Sequence, residues 1–283
     1  MHKKLILAAA VSASFASIAI AAEPASPHSF TANVGVVNDY LFRGISQTHG
    51  KPALQGGADY AHSSGFYAGV WGSNVKWVED AQDVSASVEI DLYGGFKGAL
   101  SGDWSYDVGL ITYNYPGSKN VPVNASAKAD TTEVYGAISW KWLTAKYSYA
   151  TSSHFIGWYG GTTVSDTTKG TRGSDYLELN ANYDLGSGMT LTGHVGKQKV
   201  KNYVKSGDTD ASYTDWKIGV TQDVGFGVVG LAYSDTSSKG TCNGATGGTN
   251  AYCWGVYSAS SGTVTNFRDA SQGQWVLNFT KSF

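Results

Sequence analysis

Gly273-Gln274-Trp275-Val276-Leu277-Asn278-Phe279-Thr280-Lys281-Ser282-Phe283 closes the chain. Trp275, Leu277 and Phe279 share one face of an extended strand, and Gln274, Asn278, Thr280 and Ser282 share the other. The alternation runs to the final residue, where a chain end ordinarily frays. An aromatic last residue on the apolar face marks this end as paired. Taken alone, the segment fits an amphipathic edge strand of a soluble β-protein or the closing strand of a membrane barrel. The rest of the chain decides between them.

Apolar residues at alternate positions before a terminal Phe resemble the C-terminal signal of bacterial outer-membrane barrels. Trp275, Leu277, Phe279 and Phe283 carry that resemblance; Lys281 departs from it. The other end of the chain agrees. His2-Lys3-Lys4 precede an apolar run from Leu5 to Ala22 that ends in small residues. This is the layout of a secretory signal peptide, with cleavage expected after Ala21 or Ala22. The expected organisation is therefore a leader over 1–22 and one domain over 23–283.

Composition narrows the class. The chain has 36 Gly, 18 Tyr, 9 Trp and 10 Phe, but 5 Pro and 2 Met. Its 20 basic residues, Lys3 and Lys4 of the leader among them, face 22 acidic ones, which argues against a nucleic-acid partner. After the leader no stretch approaches the ~18 apolar residues of a spanning helix, and none keeps a 3.6-residue period. Period-2 stretches recur instead. The clearest is Val84 to Phe96, with Val84, Ala86, Val88, Ile90 and Leu92 opposite Ser85, Ser87, Glu89, Asp91 and Tyr93.

About twelve such strands of roughly 9–13 residues are legible, near the length a tilted strand needs to cross a bilayer. The first runs on into Tyr40-Leu41-Phe42. Connections after the odd strands are long; those after the even strands take a few residues. That rhythm belongs to a transmembrane antiparallel up-and-down β-barrel, with long outer loops and short periplasmic turns. An even count puts both termini in the periplasm. In lipid every backbone donor and acceptor must be paired, so the sheet must close. Outward aromatics should form two girdles: Phe66, Phe96, Trp104, Trp140, Trp142, Tyr183 and Phe283 at the periplasmic rim, and Tyr40, Phe42, Trp77 and Tyr115 at the outer rim.

Several motifs resemble the TorF family of porins: Asp39-Tyr40-Leu41-Phe42-Arg43-Gly44-Ile45-Ser46-Gln47, Pro52 to Tyr60, Gly65 to Trp71, Glu89 to Tyr93, Ser105 to Gly109 and Tyr213 to Lys217. The likeness spans nearly all of the chain after the leader. It implies an outer-membrane barrel, with outer-membrane lipid, the barrel-assembly machinery and small solutes or ions as partners.

Alternation assigns Asp59, Glu89, Asp91, Asp107, Glu133, Glu178 and Asp215 to the lumen, with Lys141, Lys146, Lys217 and His194. Such charges either set ion selectivity or pair to stiffen a polar interior. Phase is firmest around Glu89 and Asp91, expected inward near mid-membrane, so an open lumen should prefer small cations. Lys199, Lys201 and Lys205 would sit at the outer mouth. Twelve strands fall between filled and open barrels, so the lumen is narrow and open to plugging by side chains or an inward-folded loop. Cys242 and Cys253 share the last long loop; in an exported chain a disulfide between them is the leading expectation, ahead of metal or redox chemistry. No cofactor or metal is expected. Gly-x-Ser-x-Gly and His-Glu-x-x-His are absent, and the His residues are scattered, His154 and Asp166 merely sharing a loop. A passive channel is the leading reading, ahead of a non-conducting surface-binding barrel and, further back, an outer-membrane lipase or protease.

Overall fold

The computed structural model describes residues 26–82, 85–119, 127–160, 169–203, 210–238, 240–245, 247–258 and 263–283. The leader, Lys205 and Asp166 lie outside these. Twelve strands form the wall: β1 (His28–Val37), β2 (Ala53–His62), β3 (Phe66–Asn74), β4 (Val88–Ala99), β5 (Trp104–Asn114), β6 (Thr131–Trp140), β7 (Leu143–Ala150), β8 (Asp175–Gly186), β9 (Met189–Lys199), β10 (Tyr213–Asp223), β11 (Val228–Thr236) and β12 (Gln274–Ser282). Each pairs antiparallel with its sequence neighbours, and β12 returns to β1, giving a closed barrel.

The seam is made by the closing segment. Asn33 to Val37 face Ser282 to Asn278. Pairing continues one residue further: the Phe283 N–H donates to the Ala32 carbonyl at 2.8 Å, and the Ala32 N–H donates back at 3.2 Å. The last residue is thus part of the ladder, which is why the alternation persists to the end of the sequence.

The wall is apolar outside and polar inside. Leu92, Leu110, Ile138, Leu179, Ile218 and Leu231 are all at least 45 % exposed, whereas the inward Glu89 and Glu133 are fully buried. This inverts the soluble pattern and matches a barrel whose outer face meets hydrocarbon. The long connections follow the odd strands as expected. The short turns need left-handed backbone: Gly186, Ser187 and Gly188 have φ of 84°, 54° and 78°.

Some expectations are corrected. The fourth strand starts at Val88; Val84 falls outside the described residues, and Ala86 is fully buried in the preceding connection. Trp77–Gln82 forms a short helix, α1, in the same connection. The first strand stops at Val37. Tyr40, Trp77 and Tyr115 are buried and Phe42 packs against them, so these four fill the outer mouth and do not ring it. Outward aromatics at that end include Tyr149 and the row Trp216, Tyr233 and Trp275, whose ring centroids are 5.7 and 5.3 Å apart in sequence. At the end with the short turns the aromatics lie outward together, Trp104 beside Trp140 at 6.2 Å and Trp142 against Tyr183 at 5.6 Å.

Candidate functional site: a plugged lumen

The connection from β1 to β2 folds into the barrel. Leu41–Phe42 and Ile45–Ser46 pair as a miniature hairpin. Its two tip residues, Arg43 and Gly44, have φ of 50° and 80°, the signature of a two-residue turn with both central residues left-handed. A Cβ at Gly44 would sit 2.8 Å from the Asp215 Cβ and 2.8 Å from the Thr236 Cγ2, so the tip is wedged against β10 and β11. Asp39 staples the base: the Ser46 and Thr48 hydroxyls both donate to its Oδ1 at 2.7 Å.

From that tip Arg43 reaches across the lumen. Its Nη1 and Nη2 donate to the two Glu133 carboxylate oxygens on β6, at 3.1 and 2.7 Å. Nη1 also donates to Gln198 Oε1 on β9 at 2.7 Å. The guanidinium lies over the Tyr176 ring at 4.2 Å and the Phe42 ring at 4.8 Å. Bidentate pairing and stacking are what a planar guanidinium offers and an ammonium does not. The Tyr40 hydroxyl donates to Glu89 at 3.3 Å, and Phe42 meets Tyr113 edge-on at 5.3 Å. One loop therefore touches the inner faces of strands around most of the circumference.

Below the plug the wall is thinned in a repeated way. Tyr67 faces Gly95, Tyr93 faces Gly69, and Tyr135 faces Gly109 across neighbouring strands. A Cβ at Gly69 would lie 2.5 Å from the Tyr93 ring, and one at Gly109 would lie 2.8 Å from the Tyr135 Cζ. Each glycine lets its partner's ring lie along the wall instead of across the passage. The hydroxyls then meet acids: Tyr93 donates to Asp59 at 2.5 Å, and Tyr67 to Asp107 at 2.6 Å while also touching the Tyr135 hydroxyl. On the opposite wall Tyr176 donates to Asp215 at 2.8 Å, and His194 Nε2 lies 2.9 Å from the same carboxylate. Asn180 links His194 to Glu178, at 2.7 and 2.8 Å.

Asp59, Glu89, Asp91, Asp107, Glu133, Glu178, Asp215, Lys146, Lys217 and His194 all fall on the inward row of the ladders. Lys141 does not. It occupies the turn after β6 with a φ of 52°, its Nζ 3.8 Å from Asp103 and over the Trp140 ring, outside the lumen. Glu89 and Asp91 point inward, but as the second and fourth residues of β4 they sit at its outer end, beneath the plug, not at mid-membrane. Both are essentially inaccessible, and Glu89 Oε2 and both Asp91 oxygens have no hydrogen-bond partner among the described residues. Sequence reading missed Arg43, Gln198 and Lys97, which faces Asp107 across β4 and β5. Cys242 and Cys253 are joined. Lys199 and Lys201 are exposed at and just beyond the outer end of β9. Among the described residues no cluster of His, Cys, Asp or Glu is arranged to hold a metal.

A closed twelve-stranded barrel with an apolar exterior and a loop-plugged polar interior defines a transmembrane β-barrel. The chain belongs to the family described as "Bacterial protein of unknown function (Gcw_chp)", whose model matches residues 21–260. Among solved structures it is similar to a KdgM porin (7 % identity over 89 % of this chain and 99 % of that one, TM-score 0.48). It is also similar to a KdgM porin in complex with disordered oligogalacturonate (8 %, 90 % and 99 %, TM-score 0.49). A NanC porin gives 12 % identity, 90 % and 99 % coverage and a TM-score of 0.48. No curated protein matches the sequence.

Proposed function

We propose that this chain is an outer-membrane channel for small solutes or ions, shut in the present structure by the hairpin that carries Arg43. The observation that carries this reading is the pairing of a wall thinned by tyrosine-over-glycine contacts with a plug confined to the outer mouth. A barrel that served only as a scaffold would gain nothing from keeping rings flat against its wall. The resemblance of Asp39 to Gln47 to the TorF porins falls on this same plug.

The lumen is read as cation-preferring. Seven inward acids face Arg43, Lys97, Lys146 and Lys217, and Arg43 is occupied by Glu133. Low-dielectric walls strengthen such an imbalance over its value in bulk water. Cleavage after Ala21 or Ala22, delivery by the barrel-assembly machinery and periplasmic termini complete the proposal; the short turns and the paired Phe283 support it. The chemistry in the barrel is that of a passage, so catalysis is not proposed.

Planar-bilayer recording of the refolded protein tests this. The native protein should conduct rarely and Arg43→Ala frequently, by at least tenfold in open time. A properly folded Arg43→Ala barrel that stays silent would favour the surface-binding reading.

A further inference from the structure

Above the plug lies a cavity of about 250 Å³. Its floor is the plug hairpin itself, through Phe42 and Ile45. Its walls come from three outer connections, through Trp77 on α1, Phe155 and Trp158 before β8, and Tyr252 and Trp254 before β12. The aromatic walls brace one another: Trp77 and Trp254 lie 5.7 Å apart with their planes at 30°, and Trp158 meets Tyr252 edge-on at 5.7 Å. The strands do not need these rings, which stand on connections beyond the ladders. A barrel mouth with no ligand to hold would be expected to carry polar residues there.

We infer that this cavity is a binding site for a neutral, planar compound of one or two rings. Size sets the ring number: an apolar cavity of ~150 Å³ accommodates a single benzene ring. Electrostatics exclude the alternatives. A cation would seek the ring faces, but the Arg43 guanidinium already lies 4.8 and 5.7 Å from the Phe42 and Phe155 centroids. Among the described residues the acid at the wall is Asp80, which has Lys76 Nζ at 3.5 Å and His49 Nδ1 at 3.1 Å but accepts no hydrogen bond at either carboxylate oxygen. Burial works against the Lys76 ammonium, but Glu79 and Asp80 outweigh it and raise its pKa above the usual lysine value. A sugar would bring hydroxyls that need partners. The Gln47 amide nitrogen is already committed to the Ile45 carbonyl at 2.9 Å, which leaves the buried Trp77 Nε1–H and the Asp80 oxygens as the groups at the wall without a hydrogen-bond partner among the described residues; they can meet one hydroxyl on a ring but not the many of a sugar.

The placement gives the site a consequence for the channel, and to that extent it rests on the proposed function. Phe42 and Ile45 are the paired residues on either side of the Arg43–Gly44 tip. A ring seated on them bears on the element that holds the lumen shut.

The test is calorimetric titration of 2-naphthol into the full-length protein in lipid nanodiscs, with empty nanodiscs as the partition control. Trp254→Ala and Trp158→Ala are the variants; heat-modifiable gel migration verifies that each barrel is folded. One saturable site is expected, weakened roughly tenfold in each variant, as removal of a packed aromatic wall requires. Maltose and tetramethylammonium should give no saturable heat. Heat no greater than the partition control, saturable binding that both variants leave unchanged, or saturation by maltose or tetramethylammonium would each overturn the proposal. Conductance of Arg43→Ala is read separately, so loss of the site and loss of the channel reading are distinct results.

Discussion

Arg43 and Glu133, ninety positions apart in sequence, meet inside the barrel through two parallel hydrogen bonds, with neither side chain more than 8 % exposed. A buried pair of this kind contributes little over an apolar substitute, but loss of one partner alone costs about 3–5 kcal/mol. On the proposed gating the cost is relieved by release of the hairpin and not borne by the barrel wall. Glu133→Gln should therefore raise the open time of single channels, and Arg43→Ala should raise it more. Closed traces from both folded variants would remove the hairpin from its role as gate.

Selectivity is best measured once the plug is released. In an Arg43→Ala background, reversal potentials across a salt gradient should report cation preference. Adding Glu89→Gln and Asp91→Asn removes two buried carboxylates that are not neutralised by a basic ion pair, and the preference should fall. Anion preference in the background variant, or no shift on adding the pair, would end the idea.

The tyrosine-over-glycine contacts make a steric prediction. Gly69→Ala places a methyl group 2.5 Å from the Tyr93 ring, which must swing toward the lumen. Overpacking of this kind costs about 1–3 kcal/mol. The expected outcome is a lower unfolding temperature together with reduced unitary conductance in the Arg43→Ala background. An unchanged conductance would mean that the ring does not border the passage.

The Cys242–Cys253 link closes a loop of 11 residues' separation. Its contribution, about 2–3 kcal/mol in the chain-entropy model, stays within that loop because the ladders hold the wall. Thiol labelling of the denatured, unreduced protein should find no reactive sulfur. A Cys242→Ser/Cys253→Ser variant should keep the native heat-modifiable migration of the barrel while its outer loop becomes more protease-sensitive.

Deleting Phe283 removes two backbone hydrogen bonds from the seam, those exchanged with Ala32. The yield of membrane-inserted barrel should drop severalfold in cells. Normal insertion would deny the terminal residue a part in assembly.

The strands and their phase were legible because two solvents, lipid and lumen, write opposite demands onto alternate residues. Leu92 and Asp91 could hardly exchange places. That logic fails where the chain leaves the ladder. Lys141 continues the inward phase of β6 on paper, but its left-handed turn conformation takes it outside. Tyr40, Trp77 and Tyr115 read as rim residues because nothing periodic marks a connection that folds inward. A signal for the plug was present nonetheless. Arg43-Gly44 between Leu41-Phe42 and Ile45 has the form of a tight hairpin, and an arginine at its tip needs a carboxylate. Which carboxylate could not be read, since Glu133 is brought there only by the closed sheet. The tyrosine–glycine pairs were hidden for the same reason: cross-strand partners follow from register, not from sequence separation.

The plug also acts as a check on completion. Tyr40 touches Glu89 on β4 and Arg43 touches β6 and β9, while Gly44 rests against residues of β10 and β11. The base of the loop is then held from the final connection, where the Ser46 N–H donates to the Ala270 carbonyl at 2.8 Å and Arg268 Nη1 donates to the His49 carbonyl at 3.2 Å. These partners are spread over more than two hundred residues and converge only after the first and last strands have met. Contacts of such high sequence separation form late. A half-assembled sheet thus cannot seat the hairpin, and an early-emerging segment of the chain waits for the latest one before the mouth can close.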